Sequence, residues 1–130
     1  MKKTYIIAEI AWGHDGDKDQ AIKLVKAAKK SGADGISIHI TDMPNYMVKY
    51  YGNGKGKVSS GREDLEVYNY LEKINISNEH WIEVCDIIKK EGLDLIIMPN
   101  DIESLSFSEK VLKPDYYVIS AASFVEEEFL

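Results

Sequence analysis

Several things are scarce in this 130-residue sequence, and each scarcity excludes something. Cys85 is its single cysteine. No disulfide can close within the chain, and a reducing cytoplasm is the expected setting. Arg62 is the one arginine among 16 basic residues, against 22 acidic ones, for a formal net charge of -6. A general nucleic-acid binder needs a basic face, and this balance does not supply one. No apolar run is long enough to span a membrane. The opening Met1-Lys2-Lys3 leads into a short apolar stretch broken at Glu9, which is not the pattern of a signal peptide. There is no internal repeat, low-complexity linker or composition break, so residues 1–130 are expected to form a single domain.

What is present is ordinary for a globular protein, with 45% hydrophobic and 29% charged residues. The hydrophobic residues come in two alternating patterns. Tyr5 to Ala11 is a short apolar run with one carboxylate, Glu9, and reads as a strand buried on both faces. Asp17 with Gln20 forms a capping box that opens a helix. Ala21, Leu24, Val25 and Ala28 recur at helical spacing, and Gly32 can end that helix in a left-handed turn. From Gly35 to Ile40, three isoleucines alternate with Ser37 and His39, the period of a second strand. After a short helix at about Glu63 to Ile74, a longer one carries Trp81, Val84, Cys85 and Ile88 on one face and ends at Gly92. A third strand over Leu93 to Met98 follows, then a helix over Ile102 to Leu112. Pro114 precedes a fourth strand over Tyr116 to Ser120. The Glu126-Glu127-Glu128 run reads as a solvated helix start.

Strands alternating with helices imply an α/β fold with parallel pairing, because each helix returns the chain for the next strand. Right-handed crossovers then allow a doubly wound sheet or a closed barrel. Polar residues inside strands, Glu9, Ser37 and His39, favour the barrel, whose mouth accepts such groups as a functional site. The expected fold is thus the N-terminal part of a TIM-type (β/α)8 barrel, about four parallel strands alternating with helices. One long connection, about residues 41–62, carries Tyr46, Tyr50 and Tyr51 and the stretch Gly52 to Lys57. Val58 follows Lys57, so the stretch fails the phosphate-loop pattern. A solvated lid whose lysines, Lys55 and Lys57, meet an anion is the alternative to a plain loop, and the tyrosines could cover a sugar face or pin the loop to the body.

Five segments in order carry a family likeness. Ala8-Glu9-Ile10-Ala11-Trp12-Gly13-His14-Asp15-Gly16-Asp17 resembles the opening of the sialic acid synthase family. Ser31 to His39 is similar to its second strand. Tyr70 to Trp81 has the spacing of its second long helix. Met98-Pro99-Asn100-Asp101 and Tyr117 to Ala121 fall where the family carries its third and fourth strand ends. The resemblance implies a barrel enzyme, a carbon–carbon bond-forming transferase that condenses phosphoenolpyruvate with an N-acylated amino sugar to give a nonulosonic acid. It also implies a divalent metal, Mn or Mg, with ligands outside this chain, and a homo-oligomer. The chain alone would be inactive. Carried over by position, Glu9, His14 and Asp101 are the candidate catalytic residues, and Ser37, His39, Asn100, Ser120 and Ser123 the candidate substrate-binding residues.

The sequence also departs from the family. Ser37 and Val118 stand where the family has lysines, and His39 where it has glutamine. Met98, Ala121 and Ser123 replace a threonine, a serine and a glutamate. Two cations are therefore missing from the expected anion site, where charge-assisted hydrogen bonds are the strong ones. Two other readings compete with the enzyme. One is a catalytically inactive or divergent sugar-binding barrel module. The other is a metal-dependent enzyme of different chemistry, with Glu9, His14, His39 and Asp101 as ligands. Against these roles stand plain structural ones: a backbone-bonded carboxylate for Glu9, a loop histidine for His14, a core histidine for His39 and a helix cap for Asp101.

Overall fold

The computed structural model describes residues 3–49 and 67–129. Four strands form one parallel sheet in the order β1-β2-β3-β4: β1 Ile7–Glu9, β2 Gly35–Ile40, β3 Asp94–Pro99 and β4 Tyr116–Tyr117. A doubly wound sheet reverses its strand order part-way. This one runs in sequence order, and its core packs against one face, which is the arrangement of a barrel wall. Register pairs Glu9 with Ser37, Ser37 with Ile96, and Ile96 with Tyr116.

The helices are α1 Lys18–Lys30, α2 Met43–Tyr46, α3 Val67–Ile74, α4 Asn78–Lys90 and α5 Ile102–Phe107. Asp17 caps α1, accepting from the backbone N–H groups of Asp19 and Gln20. α1 and α4 end alike. Gly32 and Gly92 take positive φ, +85° and +66°, so that Ala33 N–H reaches Ala28 O and Leu93 N–H reaches Ile88 O. Such endings satisfy carbonyls that the last helical turn leaves open. The core lies between the helices and the sheet. Ala21, Val25 and Ala28 of α1 and Trp81, Val84, Cys85 and Ile88 of α4 meet Ile36, Ile38, Ile40, Leu95 and Ile97.

Three expectations need correcting. β1 spans three residues rather than Tyr5 to Ala11, and Ile7 and Glu9 are half exposed. Among the described residues nothing covers the sheet face away from the helices at β1, so only Ala8 packs against the core. β4 is likewise short, although Val118 N–H still donates to Ile97 O. The helix from Ile102 is α-helical only to Phe107 and continues as a π-helical turn over Ser108–Leu112. Ser108 donates its hydroxyl to Ser104 O and accepts at its carbonyl from Lys113 N–H, whose φ of 50° ends the turn. Of the long connection, Met43–Tyr46 forms a short helix, whereas Tyr50, Tyr51, Lys55, Lys57 and residues 63–66 lie outside the described residues. The acidic run leads into a 3-10 turn, Glu127–Phe129, with Phe129 buried.

Candidate functional site

Alternation sorts the strand residues onto two faces. The isoleucines of β2 face the helices. Ser37 and His39 face the other way, in layers set by the register. Nearest the strand N-termini lie Tyr5, Gly35 and Asp94, and the Tyr5 hydroxyl reaches past Gly35 to donate to the Asp94 carboxylate. A Cβ on Gly35 would lie 2.7 Å from that hydroxyl, so the contact requires glycine. Ile7 pairs with Gly35 at this level, and Glu9, Ser37, Ile96 and Tyr116 make the next. The Ser37 hydroxyl is buried and has no hydrogen-bond partner among the described residues. From there Glu9 meets His39 of the level above, with Glu9 Oε1 3.6 Å from His39 Nε2. The same carboxylate oxygen accepts from Ala11 N–H at 2.7 Å. Burial holds His39 below the ordinary histidine pKa, while the neighbouring Glu9 carboxylate pulls it upward.

At the strand C-termini, Asn100 extends the ladder by donating its N–H to Ile40 O, and its side-chain amide donates to Thr41 Oγ1 at 2.8 Å. Ser120 Oγ lies 3.4 Å from Ser123 Oγ and accepts from Ser123 N–H. His39, Asn100, Ser120 and Ser123 line one cavity of about 290 Å³, with Trp12, Tyr46, Met98, Ala122 and Glu126. Glu9 touches this cavity's histidine from the β1 side. Ser37 lies one layer below.

His14 is elsewhere. Its ring is buried, edge-on to Trp81 with centroids 5.2 Å apart, and its Nδ1 accepts from Gly16 N–H. That hydrogen bond places the ring proton on Nε2, and burial lowers the pKa further towards the neutral form. The turn responsible contains Ala11, Asp15 and Gly16 at φ of 37°, 52° and 78°. It swings the chain out of the strand's alternation, and His14 is not among the residues that line the cavity. Asp101 is buried and fully engaged. Its Oδ1 accepts from Ser104 N–H, and its Oδ2 from Ser104 Oγ and Asp42 N–H, each at 2.8 Å. It caps α5 and ties the turn after β3 to the turn after β2.

No three His, Cys, Asp or Glu side chains converge to hold a metal among the described residues. Glu9, His14, His39 and Asp101 therefore do not converge as the ligand set considered from sequence. The cavity's Trp12 and Glu126 were not foreseen as wall residues. The available signal for Trp12 was its place just past a strand C-terminus. Glu126 carried none, because its position depends on the turn at Ser120–Ser123.

No protein-family profile matches the chain. It is 37% identical over 123 residues to an uncharacterized protein of Methanocaldococcus jannaschii, covering 89% of this chain and 36% of that protein. It is 28% identical over 130 residues to a pseudaminic acid synthase of Campylobacter jejuni, covering 99% of this chain and 37% of the synthase. The fold matches the crystal structure of an N-acetylneuraminic acid synthetase from Leptospira borgpetersenii with a TM-score of 0.73 at 16% identity, over 94% of this chain and 38% of that one. The chain thus spans a little over a third of the relatives it matches.

Proposed function

From the premise that this chain belongs to the sialic acid synthase family and aligns with part of its barrel, we propose that it is the portion of a nonulosonic acid synthase that forms the substrate pocket over strands β1 to β4. The reaction would condense phosphoenolpyruvate with an N-acylated amino sugar. One observation carries this reading: polar side chains from separate strand ends, His39, Asn100, Ser120 and Ser123, converge at the C-terminal rim, where barrel enzymes work. A half-buried imidazole whose pKa burial holds down, and which is therefore neutral, can accept a proton from a sugar hydroxyl or donate a hydrogen bond to it, with the Glu9 carboxylate 3.6 Å from its Nε2. Asp101 acts through position, by holding the β2 and β3 turns together. We place the ligands of the divalent metal outside these residues. The proposed homo-oligomer is supported by the apolar sheet face left open at Tyr5, Ile7, Tyr116 and Val118. The cytoplasmic setting rests on Cys85, a buried free thiol. Among the described residues, no helix is long and apolar enough to cross a membrane.

The test is to incubate the natural gene product with phosphoenolpyruvate, a divalent metal and a panel of N-acyl amino sugars. A nonulosonic acid by mass spectrometry, with stoichiometric inorganic phosphate, is the expected result; absence of both across the panel overturns the reading. A second reading, a sugar-binding module without catalysis, is favoured by the cavity wall itself, which carries no lysine or arginine among the described residues.

A further inference from the structure

We infer that His14 is a positioning residue: by accepting from Gly16 N–H it fixes the turn after β1, and so holds the Trp12 indole on the cavity wall. On the reading above, that cavity is where the chemistry takes place, and the role of His14 rests on that reading. Trp12 lines the cavity and His14 does not, but the turn joins them. Gly13 N–H donates to Ile10 O at 2.7 Å, Asp15 N–H to Trp12 O at 3.0 Å, and Asp17 N–H to His14 O at 2.9 Å. The same turn carries Ala11 and Asp15 at φ of 37° and 52°, a region that residues with a Cβ occupy only where their surroundings hold them. Its two ends have side-chain acceptors of their own, Glu9 Oε1 for Ala11 N–H and Asp17 at the start of α1. Its middle has His14, whose Nδ1 lies 3.2 Å from Gly16 N. The ring thus does what an asparagine side chain does in an Asx-turn, accepting from the N–H two residues on. It also stands between two tryptophans. Its centroid is 6.1 Å from that of Trp12 and 5.2 Å from that of Trp81, on the buried face of α4. A wall residue on a strained turn is thereby tied to the core. The same arrangement makes the turn sensitive to protonation, because an imidazolium has two donors and no acceptor left for Gly16 N–H. Burial opposes the charged ring, Asp15 on its own turn favours it, and His39 of β2 opposes it; α4 presents Trp81, which does not titrate.

The experiment is fluorine NMR of the 130-residue chain labelled with fluorotryptophan, which gives one signal for Trp12 and one for Trp81. Trp12→Phe assigns them, and circular dichroism establishes that each variant is folded. His14→Asn keeps an acceptor two residues before Gly16 and loses the ring, whereas His14→Phe keeps a ring and loses the acceptor. His14→Asn is expected to leave the Trp12 signal in place. His14→Phe should move it and at least double its relaxation by a soluble paramagnetic agent. A ring that merely fills space would give the reverse order. That outcome overturns the inference, as does a Trp12 signal that both variants move equally or that neither moves. Acid titration of the unmodified chain is the second measurement. The Trp12 signal should shift in one step together with protonation of His14, followed through its ring C–H signals. His39→Gln, which removes the cavity's own histidine, should keep that step, and His14→Asn should abolish it. If His14→Phe does not fold, the titration decides: a Trp12 signal that stays put while His14 protonates overturns the inference. The readout is the placement of Trp12 rather than turnover. A gene product that makes no nonulosonic acid would therefore sink the synthase reading and leave this result untouched.

Discussion

His39 and Ile38 are neighbours in sequence and opposites in environment. Ile38 is fully buried under the helices, and His39 sits at the open face. Ile38→Ala should therefore cost about 2–5 kcal/mol in urea unfolding, as for other large-to-small core changes. His39→Ala should cost less than about 1 kcal/mol and act on ligand binding instead. Asp101→Ala strips a cap and leaves Asp42 N–H without its acceptor, so a loss of about 1–3 kcal/mol is expected by the same measurement. The histidines also set a pH response. Both His14 and His39 are held below the ordinary value chiefly by burial, so the unfolded chain takes up protons first as pH falls. Their contribution to stability is complete above about pH 6.5 and declines below it. The urea midpoint should drop between pH 7.5 and 5.5. His14→Phe, which keeps a ring against Trp81 but loses the bond to Gly16, should start lower and drop less. The two faces of β2 were legible in the sequence, because a period of two needs only the strand to exist. The side of His14 was not. The backbone enters the left-handed region at Ala11, and strand alternation says nothing past that point.

At the scale of elements, the capped ends of α1 and α4 were readable because Asp17, Gly32 and Gly92 act through local backbone chemistry. The switch to a π-helical turn at Ser108 was not. Lys89 of α4 donates to Leu112 O at its end, a contact between helices distant in sequence that no local pattern signals. Two element-scale outcomes are expected. Cys85 lies on the buried face of α4, and burial pushes its thiol up to about 12. A disulfide reagent should therefore leave the native chain unlabelled for hours and react at once in denaturant, which makes its labelling rate a measure of opening at α4. Gly16 has φ of +78°, and a Cβ there would lie 3.0 Å from the backbone of Ile74 at the end of α3. Gly16→Ala should destabilise by more than about 1 kcal/mol, and a thermal melt of the variant would show it.

Across the whole molecule, the choice between barrel and doubly wound sheet was decided correctly from where polar residues fall within strands. The exposure of the inner face was not anticipated residue by residue, because a continuous apolar run looks the same whether one side or both are covered. Tyr5, Ile7, Tyr116 and Val118 are each exposed by more than a third. A face of this kind should drive concentration-dependent association of the 130-residue chain in light scattering, with bound hydrophobic dye. A compact monomer that takes up no dye would contradict the open face.

The bond from Tyr5 across Gly35 to Asp94 joins residues 89 apart in the chain. Its consequence is one of timing. During synthesis β1 leaves the ribosome before β3, and the acceptor for Tyr5 is made some ninety residues after it. With three strand residues and most of its side chains in water, β1 has little to hold it before then. It should be the last strand to dock and the first to leave. Tyr5→Phe should accordingly speed unfolding while leaving the refolding rate nearly unchanged, as expected for a contact absent from the transition state, and a stopped-flow chevron with the opposite partition would reverse that order.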